Sequence, residues 1–370
     1  MKLGIDASFL NRTHSGGKEQ VLFNLLKGFQ AIGKARNIHI FTYDYSAAVI
    51  KGLIPDANFT FIPYPNTSLN KTIVDSLFKT FKLDRLVKQH GIDVLFFPHF
   101  NTGLKKFKIP TVVLPHDIQV KSNAGRFALK DRVIYGLQYY FDFKLRTKIV
   151  AISDYDFKEI EKYYPQHKAK IKRIYNPVDT DFSLPPEKHS SATPYICAIN
   201  IAYRHKNTIT LIKAFEKIMH KIDHNLVLIG RIKQETDFLR TYVSEHDLGK
   251  RVIFTGFLKE QELNRVLSHA SLYVNPSLFE GFGMTAIEAA LRCVPVLTSV
   301  TGATLEVTRK LLNYYDPAGD DELLAKKMLE LLHTEQPLPK LAAIKEDYMA
   351  CYAYTAVSKR YYEFFGGLMQ

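Results

Sequence analysis

Two rhythms alternate along the chain. Short apolar runs of the kind that form buried strands are followed by stretches in which apolar residues return at the spacing of one helix face. A run at 3–8 precedes a turn-forming stretch at 11–17 and a helical pattern over 19–32, where Val21, Leu22, Leu25, Leu26 and Phe29 share a face. Strand-like runs follow at 38–42, 93–97, 111–114 and 148–152, mostly with helical segments between them. Around 182–194 the periodicity stops in a stretch with three prolines, which reads as a linker. The alternation then restarts. Strands at 195–199, 225–230, 252–255, 272–274 and 294–298 are separated by helices at 208–220, 235–245, 260–268 and 285–292. Apolar strands alternating with helices indicate parallel sheets covered on both faces. The pattern therefore predicts an α/β chain of two doubly wound, Rossmann-like domains, the first over 1–182 and the second beginning at 195, joined by the linker 183–194. Ligands of such sheets bind beyond the C-terminal strand ends, so two facing sheets predict one interdomain cleft and two substrates.

Composition sharpens this picture in two ways. With 370 residues, 46% hydrophobic and 24% charged, the chain has room for about two globular domains and is neither fibrous nor disordered. It holds no uncharged apolar stretch long enough to span a bilayer. Asp6 stands where a signal peptide would still be apolar. Cys197, Cys293 and Cys351 lack paired or metal-like spacing and are expected as buried free thiols in a reducing compartment. A cytoplasmic location is the expectation. The charge is unevenly spread: residues 1–185 carry 28 Lys and Arg against 16 Asp and Glu, whereas the remainder carries 22 against 21. The first half is thus expected to face something anionic, whether nucleic acid, an acidic membrane or a phosphorylated substrate.

The densest chemistry lies in Pro276-Ser277-Leu278-Phe279-Glu280-Gly281-Phe282-Gly283-Met284-Thr285-Ala286-Ile287-Glu288. A strand ends, Glu280 sits on the turn, glycines flank Phe282, and a helix opens at Thr285. Such a turn points unpaired backbone N–H groups and a positive dipole end at a phosphate or an oxygen-rich ligand. Glu280 and Glu288 are placed to grip its hydroxyls. The alternative, in which Glu280 caps the helix and Glu288 is a surface acid, fits the spacing equally well.

The Glu-x7-Glu segment resembles the signature of glycosyltransferase family 4, retaining enzymes of the GT-B fold that use nucleotide-diphospho-sugars. Other stretches resemble the family in the expected order: Ser15-Gly16-Gly17-Lys18-Glu19, His116-Asp117, Ile152-Ser153, Asn176-Pro177-Val178-Asp179, Arg204-His205-Lys206-Asn207, Leu226 to Gly230 and Val252 to Phe257. The resemblance implies that Arg204 and Lys206, with the N–H groups of Gly281, Phe282, Gly283, Met284 and Thr285, stabilise the departing diphosphate. It places Glu280 on the donor sugar, Glu288 on the ribose, Gly230 beside the nucleotide, and Phe254, Gly256 and Phe257 near the base. Gly16 and Gly17 would admit the diphosphate or acceptor, and His116 would contact the transferred sugar with Asp117 orienting its ring. Asn200 departs from the glycine common at that position, which narrows the pocket or adds a donor hydrogen bond. The implied mechanism is a front-face attack in which the departing phosphate takes the acceptor proton. No metal or other cofactor is expected. The triplets Asp154-Tyr155-Asp156 and Asp179-Thr180-Asp181 are read as helix-start and linker acids.

The resemblance also assigns domains: 1–182 for the acceptor, 195–348 for the nucleotide-sugar, and a terminal helix over 349–370 packing back on the first domain. Residues 68–90 read as one basic amphipathic helix with Ile73, Leu77, Phe81 and Phe78 on a face and Lys71, Lys79 and Lys82 elsewhere. With the charge surplus, it suggests contact with an anionic inner leaflet and a lipid-linked saccharide acceptor. Competing readings are a non-catalytic sugar-nucleotide-binding protein, a GT-B sugar-nucleotide epimerase and a phosphorylase. A nucleic-acid binder lacks any recognition motif.

Overall fold

A computed structural model describes the whole chain except residues 12–15, 123, 182–192, 200 and 202, and the side chains of Arg126 and Glu235. The chain forms two compact units, Met1–Val178 with Tyr352–Gln370, and Asp179–Cys351.

The first unit is built on seven strands: β1 (Leu3–Asp6), β2 (Ile38–Tyr43), β3 (Asn58–Ile62), β4 (Val94–Phe97), β5 (Thr111–Val113), β6 (Lys148–Ala151) and β7 (Ile171–Arg173). They are hydrogen-bonded in the order β3-β2-β1-β4-β5-β6-β7, and every pairing is parallel. The second unit carries β8 (Tyr195–Ile199), β9 (Asn225–Ile229), β10 (Val252–Gly256), β11 (Leu272–Asn275), β12 (Val296–Ser299) and β13 (Asn313–Tyr315). Their order is β10-β9-β8-β11-β12-β13, again parallel. Both sheets have the doubly wound α/β form. The apolar runs indicate every interior strand and also β10, which lies at a sheet edge. The other edge strands, β3, β7 and β13, are not foreshadowed, because none of them is buried along its whole length and so none needs continuous apolar sequence.

Three local expectations need correcting. The segment over 68–90 forms two helices, Lys71–Phe81 and Leu83–Gln89, meeting at Lys82. Its buried side is Val74, Asp75, Phe78 and Lys79, while Ile73, Leu77 and Phe81 face outward. Lys79 is drawn inside because its ammonium lies 3.1 Å from the buried Asp6 carboxylate at the end of β1. The C-terminal segment is likewise two helices, Leu338–Tyr352 and Tyr354–Gly366, broken at an extended Ala353. At the break the backbone pairs with Val178, whose N–H donates to Tyr352 O (2.8 Å) and whose carbonyl accepts from Tyr354 N (3.1 Å). Of the three free thiols only Cys197 is buried; Cys293 and Cys351 are half-buried.

The Tyr354–Gly366 helix completes the first unit's core. Tyr361 and Phe365 are fully buried and pack on Phe96 of β4 at centroid distances of 5.7 and 5.2 Å. It lies so close to the Gly17–Ala31 helix that a Cβ on Gly28 would stand 2.1 Å from Ser358 Oγ.

Towards the β3 edge of this sheet the buried His39 and the half-buried His90 share a threonine hydroxyl. His39 Nε2 lies 2.7 Å from Thr60 Oγ1, which lies 3.2 Å from His90 Nε2. Burial, reinforced by the His90 and Lys2 charges, pulls the His39 pKa down to about 4. The folded protein therefore resists a proton that the unfolded chain accepts at the ordinary value. Stability is present at neutral pH and lost as pH falls from about 6.5 towards 4, at up to ~1.4 kcal/mol per pH unit for each such histidine. His99 and His116 share this direction. Thermal melts across that range should show the decline, and His39→Gln should flatten it in part; an unchanged slope would assign it to other groups.

Candidate functional site

In the second unit three loops meet beyond the C-terminal ends of β8, β11 and β12. Their meeting point is Glu280. Lys206 Nζ donates to Glu280 Oε1 at 2.7 Å, and Ser277 Oγ donates to the same oxygen at 2.7 Å. The backbone is knitted as tightly: Leu278 N donates to His205 O (2.8 Å) and Ala303 N to Glu280 O (2.9 Å). Asn207, in the left-handed conformation at φ 54°, sends its amide to Pro276 O and Ala318 O at 3.1 and 2.9 Å. Ser299 and Thr301 hydroxyls both donate to Ser277 O. Gly302 lies at φ 54°, and a Cβ there would stand 2.1 Å from Glu280 O. The glycine is required because only it lets the third loop approach that carbonyl.

Glu280 is 7% exposed. Burial acts most strongly on its carboxyl and pushes the pKa up. The Lys206 charge and the hydrogen bonds from Lys206 and Ser277 outweigh it, so the group ends below the ordinary carboxylate value and stays ionised. Glu280 is therefore neither a helix cap nor a surface acid. Oε2 takes part in neither hydrogen bond, which leaves it to accept from a ligand.

Gly281 leads into the buried Phe282, and Gly283 at φ 87° is the N-cap of the helix Met284–Leu291. The helix end, with Met284 and Thr285 in its first turn, presents the backbone N–H groups and positive dipole end that suit an anion. Glu288, one turn further, is half-buried. Burial raises its pKa, Arg292 opposes and Asp179 adds to the rise. Arg204 stacks over the Phe238 ring at 5.8 Å. Gly230 (φ 134°) donates to the carbonyl of Gly256 (φ 71°) at 2.9 Å. This turn carries Phe257, exposed beneath the Arg231 guanidinium at 5.2 Å. Phe254 packs against the unit's hydrophobic core. Asn200 lies outside the described residues.

His116, Gly16 and Gly17 belong to the first unit. His116, at φ 70°, follows β5, and its Nε2 donates to Pro98 O at 2.8 Å. Burial holds its pKa at about 4, so the ring is neutral with Nδ1 left as acceptor. Asp117 does not orient it: that carboxylate accepts from the backbone and side chain of Gln119. The ring of His99 stands 6.1 Å from that of His116, and His99 Nε2 lies 3.2 Å from Lys18 Nζ. Gly16 caps the Gly17–Ala31 helix, its N–H donating to Glu19 at 2.9 Å. A Cβ on Gly17 would meet no protein atom within 4 Å. Ser153 and Asp156 serve the start of the Asp154–Tyr163 helix, and Asp154 pairs with Arg173 at 2.7 Å. Asp179 Oδ1 accepts from Asp181 N.

Sequence reasoning missed Ser277, His99 and Gly302. The signal available for Gly302 is a glycine just past a strand end, the place where backbones approach closely in a doubly wound sheet.

Two substitutions test this construction. Lys206→Met strands a buried carboxylate and should cost about 3 kcal/mol; adding Glu280→Gln should restore part of the loss in a double-mutant cycle, and no restoration would assign Lys206 another role. Gly302→Ala should lower the melting temperature and abolish any activity that needs Glu280; a silent substitution would show that the loop can yield.

Comparison with known proteins completes the description. The family models "Glycosyl transferases group 1" and "Glycosyltransferase Family 4" match residues 179–348 and 15–182. An O-antigen chain mannosyltransferase of Salmonella typhimurium is 31% identical over 235 residues, covering 61% of this chain and 62% of the relative. An uncharacterized glycosyltransferase of Methanocaldococcus jannaschii is 23% identical over 218 residues, covering 56% and 55%. The matched segments thus span somewhat more than half of these relatives. Among solved structures, a glycosyltransferase of Rickettsia africae has a TM-score of 0.73 at 17% identity, covering 100% of this chain and 98% of its own. Anabaena HepE in complex with UDP-glucose has a TM-score of 0.74 at 15% identity, covering 99% and 100%. The two family matches run almost end to end over two doubly wound sheets, and the chain belongs to the family 4 glycosyltransferases of the GT-B fold.

Proposed function

We propose that the chain is a retaining glycosyltransferase that moves a hexose or deoxyhexose from a nucleotide-diphospho-sugar to a saccharide acceptor in surface polysaccharide or glycolipid assembly. The acceptor is lipid-linked, and the enzyme works in the cytoplasm against the inner face of the membrane, without a metal or other cofactor. The observation that carries the reading is the buried Lys206–Glu280 pair beside a helix N-terminus. Relatives supply context: an O-antigen chain mannosyltransferase and a structural neighbour holding UDP-glucose.

In this mechanism the second unit receives the donor and the first unit the acceptor. Breaking the anomeric bond throws negative charge onto the departing β-phosphate. Lys206 uses one of its three protons on Glu280 and offers the others to the diphosphate, with Arg204 and the first-turn amides of the Met284–Leu291 helix. Glu280 Oε2 accepts from donor sugar hydroxyls. Its charge is held by Lys206 and Ser277, which suits positioning and not covalent attack. Glu288 accepts from the ribose. His116 Nδ1 accepts from a hydroxyl of the transferred sugar. The acceptor hydroxyl enters on the face the diphosphate leaves, and a phosphate oxygen takes its proton.

A thermal-shift panel of UDP, GDP, dTDP, ADP and CMP, each with and without its common sugars, tests the donor site. One nucleoside diphosphate should raise the melting temperature and thereby identify the base; silence from all of them at millimolar concentration would overturn the reading. With the active donor in hand, Glu280→Ala should abolish transfer and change nucleotide affinity by no more than about tenfold, ~1.4 kcal/mol.

A further inference from the structure

We infer that one face of the first unit is an apolar insertion surface for an anionic lipid leaflet, formed by the outward sides of the Lys71–Phe81 and Leu129–Leu145 helices and by the loop 100–108 between them. This deepens the membrane part of the reading above, and its test does not depend on the donor site.

The Leu129–Leu145 helix has 17 residues, of which only Tyr139, Asp142 and Phe143 are buried. The Gly17–Ala31 helix, by contrast, buries eight of its 15. An exposed helix of this kind should be polar on its outer side. Here Leu129, Val133, Leu137 and Tyr140 follow one another at helical spacing along that side, and Leu129 is 71% exposed. On the Lys71–Phe81 helix the outward stripe is Ile73, Leu77 and Phe81, the last 75% exposed.

The two stripes belong to one surface because the loop fastens both helices. Asn101 Nδ2 donates to Thr72 O at 3.1 Å, while Asn101 N donates to Asp142 Oδ2 at 2.7 Å. Further along, Leu104 N donates to Thr80 Oγ1 at 3.0 Å, and Arg146 Nη2 donates to Lys105 O. Leu104, on that loop, is 57% exposed. Exposed apolar residues gathered on hydrogen-bonded neighbouring elements mark a docking site.

Charge identifies what docks. Residues 69–146 carry 14 Lys and Arg against six Asp and Glu. Two of those acids, Asp75 and Asp142, are buried, whereas Lys82, Lys105, Lys106 and Lys144 are exposed around the apolar residues. A second copy would bring the same cations against themselves in a two-fold interface. An anionic leaflet matches both the apolar stripes and their basic rim. Among the described residues no helix is long and apolar enough to cross a membrane, so the contact is insertion from one side.

The chain contains no tryptophan, so Phe81→Trp and Leu137→Trp each create a single fluorescent reporter. On vesicles of phosphatidylcholine and phosphatidylglycerol both reporters should shift to the blue and be quenched by brominated acyl chains. Phosphatidylcholine alone should give little shift, and Phe238→Trp in the second unit should give none. The double variant Leu77→Ser/Leu137→Ser should lose about tenfold or more in vesicle partitioning while keeping the parent melting temperature. No blue shift on anionic vesicles at low ionic strength would overturn the inference. So would a concentration-dependent dimer in sedimentation that the double variant dissolves, which would give the face to a second copy. A blue shift with no nucleotide response in the thermal panel would leave the insertion surface standing and remove the donor reading.

Discussion

A carboxylate placed under a protein surface must be held or it will take a proton, and the second unit is organised around that constraint. Glu280 stays charged because Lys206 and Ser277 both donate to one of its oxygens at 2.7 Å. Removing water from such a pair is costly, and the geometry must be correct for the attraction to compensate. The surrounding hydrogen bonds supply that accuracy. Asn207 fixes the Lys206 turn against Pro276, His205 receives Leu278 N–H, and Gly302 lets the third loop dock on the Glu280 carbonyl. Three strand ends are thereby locked into one arrangement before any ligand arrives, which is how preorganised charge works in an active site.

The first unit treats its ionisable groups differently. His116 and His99 are kept neutral by burial, and His116 is committed to one tautomer by the Pro98 carbonyl. Lys79 and Asp6 are paired inside. The basic surplus of the sequence is therefore carried by other residues, largely exposed ones. One unit thus concentrates charge at a point, and the other spreads it over a surface.

The interior strands were legible because strands buried on both faces demand continuous apolar sequence. Edge strands such as Ile171-Lys172-Arg173 and Asn313-Tyr314-Tyr315 carry no such demand, and nothing in their composition distinguishes them from loops. Glu280, Gly283 and Glu288 were legible for another reason: they lie within one local turn and helix. Of the residues that hold Glu280 in place, Lys206 is 74 positions away in sequence and Gly302 belongs to the next strand's loop. For Lys206 a family resemblance supplied the link, but for Gly302 nothing did; Ser277 is only three positions from Glu280, yet a lone serine on a turn gives no sign of its partner. Helix phase was the third obstacle. On the Lys71–Phe81 helix two apolar stripes, Val74/Phe78 and Ile73/Leu77/Phe81, lie side by side, and the first turns inward together with Lys79, which meets Asp6 and the Asn101 carbonyl, partners remote in sequence.

The pairing of Val178 with the backbone around Ala353 gives the chain an unusual order of assembly. Residues 1–178 emerge from the ribosome first, yet the surface of β4 that Tyr361 and Phe365 cover stays open until residues 354–366 have also been made. The second unit, contained within 179–351, has all its residues before the first does. During synthesis the earlier half must wait, with an apolar face uncovered, for a helix that follows the whole second unit in the chain. A chain truncated at residue 352 would then injure the half that was translated first and leave the later half largely whole.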